Sequence, residues 1–367
     1  MDDPERVCGK LRTAEPKEFF LSREKNLSLS LLLLLGCYAA ILYPAYFPKQ
    51  QNIWRDDQLE ARREKLLNHS ASLLSRTCRP GWSAARLRVV HPEQLPTGVP
   101  VFLQHWQGEW RLRPPLGLLG SEEKVAETLR SLPQRGLPPE LRAGGCTRCV
   151  VVGSGGVLRG SHIGTRIDQH DVIIRMNNAP VSGFERDAGS RTTIRLTYPE
   201  GAPHSPGEYR NTSLVALVVF KSYDLDWLAG VVAKEPLGWW TKLWFWKEVV
   251  ESIPLQPTSF RILNPEIVHE TGQALQGYSN QPIGMSIPKV PTLGTCAVVM
   301  ALRLCDEVNL AGFGYDLQHP DAPLHYYESI HMGTMKLQIV HDVSSENVFL
   351  RELVRANIVH DLTGGLS

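Results

Sequence analysis

The chain has 367 residues, which is enough for two average domains or for one large α/β domain with appended segments. Its formal net charge is +1, from 39 Lys and Arg against 38 Asp and Glu, and no long basic block interrupts that balance. This composition argues against a protein that is drawn to nucleic acid by its charge.

An uncharged apolar run, LSLSLLLLLGCYAAILYPAYF, occupies residues 27–47. A helix of that length crosses the roughly 30 Å hydrocarbon core of a bilayer. A cleaved signal peptide would have a shorter apolar core nearer the start, followed by small residues. We therefore expect a retained transmembrane signal anchor at 27–47, a cytosolic tail at 1–26, a stem at 48–77 and a luminal catalytic domain at 78–367.

The orientation of that anchor is supported by two glycosylation acceptor sequences, Asn-His-Ser at Asn68 and Asn-Thr-Ser at Asn211. Basic residues flank the apolar run on both sides, so the positive-inside bias is slight. The acceptor sequences are usable only if the chain after residue 47 is luminal or extracellular. They favour a single-pass protein with a cytosolic N-terminus.

Five of the seven cysteines follow the apolar run and would lie in an oxidising compartment: Cys78, Cys146, Cys149, Cys296 and Cys305. Two disulfides and one free thiol fit this number. A zinc site at Cys146 and Cys149 would need a second ligand pair at similar spacing, and the sequence has none.

Short apolar runs alternate with longer mixed segments after residue 146. They predict strands at 149–153, 171–177, 192–198, 214–220, 260–264 and 308–314. Apolar residues that run on without alternation indicate strands covered on both faces. Helices are expected at 121–131, 223–233, 265–276, 293–304 and 346–357, after a loop-rich stretch at 78–145. This order predicts a single Rossmann-like α/β domain with a mostly parallel sheet and helices on both faces.

Small or polar turns follow three of these strands, at Gly153–Gly155, Asn177–Asn178 and Gly312–Gly314. Ligands of open parallel sheets bind beyond the carboxyl ends of the strands. The segment VPTLGT (290–295) opens a helix whose free NH groups suit a phosphate. Leu158 stands where a dinucleotide fold has its third glycine, which disfavours a nicotinamide or flavin site.

Two cysteines lie at the opposite edge of the predicted sheet. Cys149 begins the first strand and Cys305 precedes the strand at 308–314, so a parallel arrangement brings both to the amino edge. A disulfide between them would be a structural link, and Cys146 would then pair with Cys78. Cys296, on a predicted helix, is expected to be a small buried hydrophobic residue.

Four segments carry a resemblance to a known family. Residues 146–200, from CTRCVVVGSGG to RLTYPE, resemble the large sialylmotif of animal sialyltransferases, and residues 290–314 resemble the small one. HYYE (325–328) resembles the third motif and HDVSSE (341–346) the very small one. The segments 195–203, 244–247 and 252–265 are similar to the β-galactoside α-2,3 branch, in particular to members that act on lactosylceramide.

The resemblance implies a GT-A variant fold and CMP-sialic acid as donor, with no obligatory metal or other cofactor. It implies that the donor is bound by Ser154, Gly155, Asn177, Thr292, Gly294 and Gly314. Many family members have Asn where this chain has Ser154, so a hydroxyl would replace an amide there. The paired positions of the family's large and small motifs match Cys149 and Cys305.

The resemblance also implies a mechanism and a setting. His341 matches the catalytic base and His325 the histidine near the phosphate. His341 would take the proton of the galactose 3-OH while His325 and the NH groups near Gly294 stabilise the departing phosphate, and direct displacement would invert the anomeric centre. Glu346 is interpreted as a residue that caps or packs the following helix.

The partners implied by the resemblance are CMP-sialic acid, a galactose-terminated glycolipid and the Golgi membrane, without nucleic acid. Whether the protein forms a homo-oligomer stays open.

Two further segments have competing interpretations. Asp224-Leu-Asp226 imitates the Asp-x-Asp metal clamp of other glycosyltransferases, but helix capping and solvent exposure are favoured. The tryptophan-rich segment 239–246 is expected either to pack in the core, since aromatic residues dominate cores, or to present a glycolipid at a membrane interface.

The alternatives to a glycolipid sialyltransferase are an α-2,3-sialyltransferase that acts on glycoprotein galactose and an inactive membrane-tethered glycan-binding protein. Intact His325 and His341 argue against the inactive protein.

Overall fold

The computed structural model describes residues 53–91, 98–105, 110–141, 145–276, 290–314, 321–337 and 341–366. The chain divides into two units, Met1–Leu59 and Glu60–Ser367. The predicted anchor at 27–47 lies outside the described residues. None of the helices in the described ranges combines the length and the hydropathy needed to span a bilayer.

Seven parallel strands form one sheet in the order β5-β4-β3-β2-β1-β6-β7. Their bounds are Arg148–Val152 (β1), Val172–Met176 (β2), Thr192–Thr197 (β3), Thr212–Leu217 (β4), Phe260–Ile262 (β5), Glu307–Ala311 (β6) and Val359–Asp361 (β7). The six predicted strands are all present, and the sheet is parallel as expected. The edge strand β7 was not predicted, because three residues with a histidine in the middle give no apolar run.

Ten α-helices lie in the described ranges: Ile53–Leu74 (α1), Trp82–Val90 (α2), Glu122–Ser131 (α3), Gly164–Ile167 (α4), Glu185–Ala188 (α5), Tyr223–Ala233 (α6), Trp239–Lys242 (α7), Pro265–Gln276 (α8), Leu293–Leu304 (α9) and Val343–Arg355 (α10). The predictions for α6, α8 and α9 have the observed bounds. Helix α2 falls within the expected loop-rich stretch. It buries only Ser83 and Leu87, so its sequence has no amphipathic periodicity that could have revealed it.

The two faces of the sheet are both covered. Val151, Ile174 and Ile194 belong to the core that helix α9 completes. On other parts of the sheet, Val215 and Leu217 share a core with residues of α6. Each of these side chains contributes about 1.5–3 kcal/mol when it is fully buried. The continuous apolar strands are therefore explained by helices on both sides.

Helix α1 contributes to the domain although the sequence assigned this stretch to a stem. Leu66 and Leu73 are buried with Val150 and Val152. The guanidinium of Arg62 donates to the carbonyl oxygen of Val157 at 2.7 Å. Charged residues dominate the segment in sequence, but its buried leucines pack with β1 and Arg62 adds a hydrogen bond to the domain.

Both expected disulfides are present, Cys78–Cys146 and Cys149–Cys305, each with Cα atoms 6.0 Å apart. The second links positions 156 residues apart at the amino edge of the sheet. In the disputed chain-entropy model such a loop contributes about 4–5 kcal/mol. Cys296 is free and buried, and burial raises the pKa of its thiol. These bonds lie at the edge opposite to the strand ends where ligands bind.

Candidate active site

A cavity of about 630 Å³ opens at the carboxyl edge of the sheet. Its walls come from the loops after β1, β2, β3, β4 and β6 and from the first turns of α9 and α10. All eight residues expected to bind the donor or to catalyse line it: Ser154, Gly155, Asn177, Thr292, Gly294, Gly314, His325 and His341. Four segments that are far apart in sequence therefore meet at one site.

The loops after β1 and β6 contact each other through glycines. The NH of Gly153 donates to the carbonyl of Ala311 at 2.7 Å, and the NH of Gly155 donates to that of Gly312 at 2.9 Å. Gly312 has φ +74°, and a Cβ on Gly153 would lie 2.5 Å from the Gly312 oxygen. Side chains are therefore excluded where the two loops meet. Only a short 3₁₀ turn, Gly156–Leu158, follows β1, so no dinucleotide-type helix begins here.

Asn177 lies at the end of β2 with φ +50°, in the left-handed region that asparagine tolerates better than most residues. The guanidinium of Arg195 donates to the Asn177 carbonyl at 2.7 Å and pairs with Glu208 at 3.4 Å. Burial lowers the pKa of Arg195, and the Glu208 carboxylate opposes that shift. This buried ion pair orients the Arg195 guanidinium, which in turn holds the loop after β2 and keeps Asn177 at the cavity wall.

His325 is held against the loop after β1. A β-bridge joins it to Gly155, and the NH of Tyr326 donates to the Ser154 carbonyl at 3.0 Å. Its Nδ1 lies 2.9 Å from Oε1 of Glu328. A carboxylate only accepts, so Nδ1 carries a hydrogen, and Nε2 is the nitrogen left for a ligand. An imidazole that carries a hydrogen on each nitrogen can donate from Nε2 to an anion.

His341 immediately precedes helix α10. Its Nδ1 lies 2.6 Å from the Val290 carbonyl oxygen. Because a carbonyl can only accept, Nδ1 is the protonated nitrogen, and Nε2 of the neutral ring has the free lone pair. The next residue, Asp342, caps α10 by accepting from the NH of Ser345 at 3.1 Å. These contacts fix the ring in the tautomer that a general base needs.

Glu346 lies in the first turn of α10, but its carboxylate reaches the neighbouring helix α9. It accepts from the NH of Thr292 at 2.7 Å, from the Thr292 hydroxyl and from the Thr295 hydroxyl at 2.6 Å. Burial raises the pKa of Glu346, and these donors oppose the shift. Of the two expected roles, capping is wrong, because Asp342 caps α10; Glu346 is buried and packs α10 against α9, which joins the two motifs.

The first turn of α9 keeps two donors for a ligand. Thr292 is its N-cap, and its hydroxyl accepts from the NH of Thr295. Within the described part of the chain, no group accepts from the NH of Leu293 or of Gly294. These two NH groups lie at the positive end of the helix dipole, where an anion is stabilised.

The cavity also contains residues that were not predicted, among them Tyr198, Glu200, Phe220 and Lys221. Tyr198 and Glu200 follow β3, and Phe220 and Lys221 follow β4. The Lys221 ammonium pairs with Glu200 at 2.7 Å. The rule that ligands bind at carboxyl strand ends would have identified Tyr198, Glu200 and Lys221 too, had it been applied to polar residues after every strand rather than to three turns.

The Asp-x-Asp pair does not converge on one point. Asp224 is buried and accepts from the NH groups of Phe220 and Lys221 at 2.8 and 3.1 Å, and burial raises its pKa to about 6. Asp226 pairs with Lys124 on another helix. The expected solvent exposure of Asp224 is wrong, and its carboxylate bonds NH groups that precede α6 rather than capping that helix. The described ranges contain no group of three or more His, Cys, Asp or Glu arranged to hold a metal ion.

The tryptophan-rich segment is on the surface, so the expectation of core packing is wrong for most of it. Phe245 is buried, whereas Trp239, Trp240 and Trp244 are exposed. Trp246 is exposed as well and lines the cavity.

The two asparagines predicted to carry glycans, Asn68 and Asn211, are both exposed. The Asn211 amide donates to the Ser190 carbonyl at 3.2 Å. Glycosylation of both residues stays a prediction.

The family model of glycosyltransferase family 29 (sialyltransferase) matches residues 91–358. The chain belongs to this family. The resemblance to the sialyltransferases is therefore confirmed, and the chain is a glycosyltransferase.

The relatives of this sialyltransferase include lactosylceramide alpha-2,3-sialyltransferases. That of Homo sapiens is 44% identical over 304 residues, covering 81% of this chain and 73% of the relative. That of Mus musculus is 42% identical over 311 residues, covering 83% and 75%. A CMP-N-acetylneuraminate-beta-1,4-galactoside alpha-2,3-sialyltransferase of Mus musculus is 41% identical over 308 residues, covering 82% and 81%.

Two solved structures share the fold of this sialyltransferase. A mammalian sialyltransferase superposes with a TM-score of 0.59 at 26% identity, over 79% of this chain and 99% of that one. A mammalian sialyltransferase in complex with Gal-beta-1-3GalNAc-ortho-nitrophenol gives a TM-score of 0.52 at 26% identity, over 77% and 85%.

Proposed function

We propose that this sialyltransferase transfers sialic acid from CMP-sialic acid to the 3-OH of a terminal galactose, and that its acceptor is lactosylceramide. The observation that carries the proposal is the cavity itself, which brings His325, His341 and the first turn of α9 together at the strand ends. The acceptor is inferred from the 42–44% identity to enzymes named for lactosylceramide.

The donor's phosphate is stabilised at one end of the site. His325, whose Nδ1 is bonded to Glu328, directs Nε2 to the phosphate, and the NH groups of Leu293 and Gly294 provide the helix terminus. Donors fixed before the reaction stabilise charge that develops as CMP departs, without reorganisation. CMP is already a good leaving group, so the site needs to hold charge more than to supply a proton.

The acceptor's hydroxyl is activated by His341. Nε2 of the neutral imidazole takes the proton from the galactose 3-OH while that oxygen attacks the anomeric carbon of sialic acid. The bond from this carbon to the phosphate oxygen breaks, and its electron pair leaves with CMP. Attack from the face opposite to CMP inverts the anomeric centre. The Val290 carbonyl, bonded to Nδ1, stabilises the imidazolium that forms.

An acceptor panel tests the proposal. Full-length protein is incubated with labelled CMP-sialic acid and, separately, with lactosylceramide, free lactose and a desialylated glycoprotein. Lactosylceramide is expected to be the best substrate by kcat/KM, with an α-2,3 linkage in the product and release of CMP. Preference for the glycoprotein would favour the second candidate function, which the 41% identity to the β-1,4-galactoside enzyme supports. Absence of CMP release with every acceptor would favour the inactive glycan-binding protein.

Transfer is proposed to need no metal, because Asp224 and Asp226 each engage a lysine, on different elements. Activity is expected to be unchanged, within about twofold, when the assay contains excess EDTA, since His325 and the NH groups at the start of α9 are the groups proposed to stabilise the phosphate. Loss of activity that manganese restores would contradict this.

The setting proposed for this activity is the Golgi membrane, with residues 27–47 as a single-pass anchor and the catalytic domain in the lumen. The proposal is supported by the uncharged run itself and by the exposure of Asn68 and Asn211 on the domain that follows it.

A further inference from the structure

An exposed apolar surface adjoins the cavity. We call it the tryptophan patch and define it as Trp239, Trp240, Leu243, Trp244 and Trp246, whose exposed fractions are 65, 64, 66, 56 and 71%. Large hydrophobic residues exposed singly are ordinary on a protein surface, but five within eight residues mark an interaction site.

The patch is held in a defined conformation. Phe245 is buried beneath it, with the Lys221 ammonium 4.7 Å from its ring centroid. The ring of Trp244 stacks on Tyr223 with centroids 4.6 Å apart. Lys242 pairs with Glu251 at 2.6 Å. These contacts order the segment that carries the exposed indoles.

The charges around the patch nearly cancel. The Lys242 ammonium is paired with Glu251, and exposed Lys247, which lies 5.0 Å from the Trp246 ring centroid, is followed by exposed Glu248. Binding through this surface would therefore be driven by the indole and leucine side chains rather than by attraction to an anionic partner. Tryptophan with flanking lysine is the composition of residues that lie at the headgroup level of a bilayer.

The patch is continuous with the active site. Trp246 lines the cavity together with Lys221, and the ring of Phe245, next to Trp246, lies 4.7 Å from the Lys221 ammonium. A surface that covers the patch would therefore meet the mouth of the cavity. An acceptor whose sugar enters the cavity while its lipid tail stays in a membrane needs this arrangement.

We propose that the tryptophan patch docks into the headgroup boundary of a lipid bilayer and holds the mouth of the cavity at the membrane surface. The occupant is the zwitterionic lipid interface itself, since the patch has little net charge. The docking itself is inferred from the exposed indoles alone. That docking serves to present a lipid-linked galactoside to the cavity rests on the proposed function.

The test variant combines Trp239→Ser, Trp240→Ser and Leu243→Ser. It spares Trp246, which lines the cavity, and Trp244, which stacks on Tyr223. The matched control replaces three exposed apolar residues elsewhere, Val89→Ser, Leu112→Ser and Leu119→Ser. Both variants remove three exposed apolar side chains, so the comparison tests whether their position matters.

Docking is measured without catalysis. Full-length proteins are reconstituted into phosphatidylcholine vesicles whose acyl chains are brominated near the headgroup, and the quenched fraction of tryptophan fluorescence is compared. Residues 27–47 contain no tryptophan, so the predicted anchor adds no signal. The quenched fraction is expected to be lower in the triple tryptophan-patch variant than in the wild type and in the control. A fraction that is unchanged or higher would overturn the proposal and assign the patch to a protein partner.

Presentation is measured by activity. The triple variant is expected to lose about tenfold in kcat/KM for lactosylceramide in these vesicles and to stay within about twofold of wild type on free lactose, because only the vesicle-borne acceptor depends on docking. Equal losses on both acceptors would overturn the role in presentation. Failure of the wild type on both acceptors would refute the proposed function instead, and the quenching result would still decide docking.

Discussion

His341→Ala is expected to lower kcat by about 10²–10⁴-fold, the usual contribution of a general base, while CMP still binds. The imidazole is the group proposed to accept the galactose proton, and its Nδ1 bond to the Val290 carbonyl fixes the reactive tautomer. Initial rates at saturating donor and acceptor give kcat, and calorimetry with CMP gives donor affinity.

His331→Ala is the matched control for this substitution. His331 is also a loop histidine whose Nδ1 bonds a backbone carbonyl, that of Asp321 at 2.7 Å, but it is exposed and does not line the cavity. Its kcat is expected to remain near that of the wild type. Turnover of His341→Ala within a few fold of the wild type would remove the base assignment.

His325→Ala is expected to lower kcat by about 10²–10³-fold, comparable to the loss of one preorganised donor to a developing anion. Glu328→Gln keeps an acceptor for the Nδ1 hydrogen that orients the ring, so a smaller loss than that of His325→Ala is expected. Both are measured as kcat and as the affinity for CMP.

The two histidines are distinguished by the parameter that changes. Loss of His325 is expected to weaken CMP binding as well as turnover, whereas loss of His341 changes turnover alone. If His325→Ala bound CMP and turned over as the wild type does, the phosphate would have to be stabilised elsewhere in the cavity.

The sheet was predictable because its strands are buried on both faces and therefore appear as uninterrupted apolar runs. The bounds of α6, α8 and α9 followed from the same alternation of segments. Helix α2 and strand β7 were missed, since each depends on tertiary contacts that leave little pattern in so few residues. The inward-facing leucines of α1 were concealed in the same way by the many charged residues around them.

The site was predictable where a motif or a glycine turn marks a strand end, as at Gly153 and Asn177. The link from Glu346 to Thr292 was not, because it joins two helices whose relative position no local pattern encodes. Glu200 and Lys221 form another such pair: each follows a different strand, and only the parallel neighbours β3 and β4 bring the two together.

The tryptophan-rich segment shows the limit of composition as a guide to burial. Aromatic residues usually enter cores because they bury much apolar area, yet only Phe245 does so here. Whether neighbouring indoles point inward depends on the turn that follows α7, which the sequence does not specify.

A crystal structure of the protein with CMP and lactose would test the central claim most directly, that one cavity holds a cytidylate phosphate beside an acceptor hydroxyl and its base. We expect the phosphate to contact His325 Nε2 and the Gly294 NH, and the galactose O3 to lie about 2.6–3.2 Å from His341 Nε2. CMP bound away from the first turn of α9, or a galactose O3 out of reach of His341, would contradict the account.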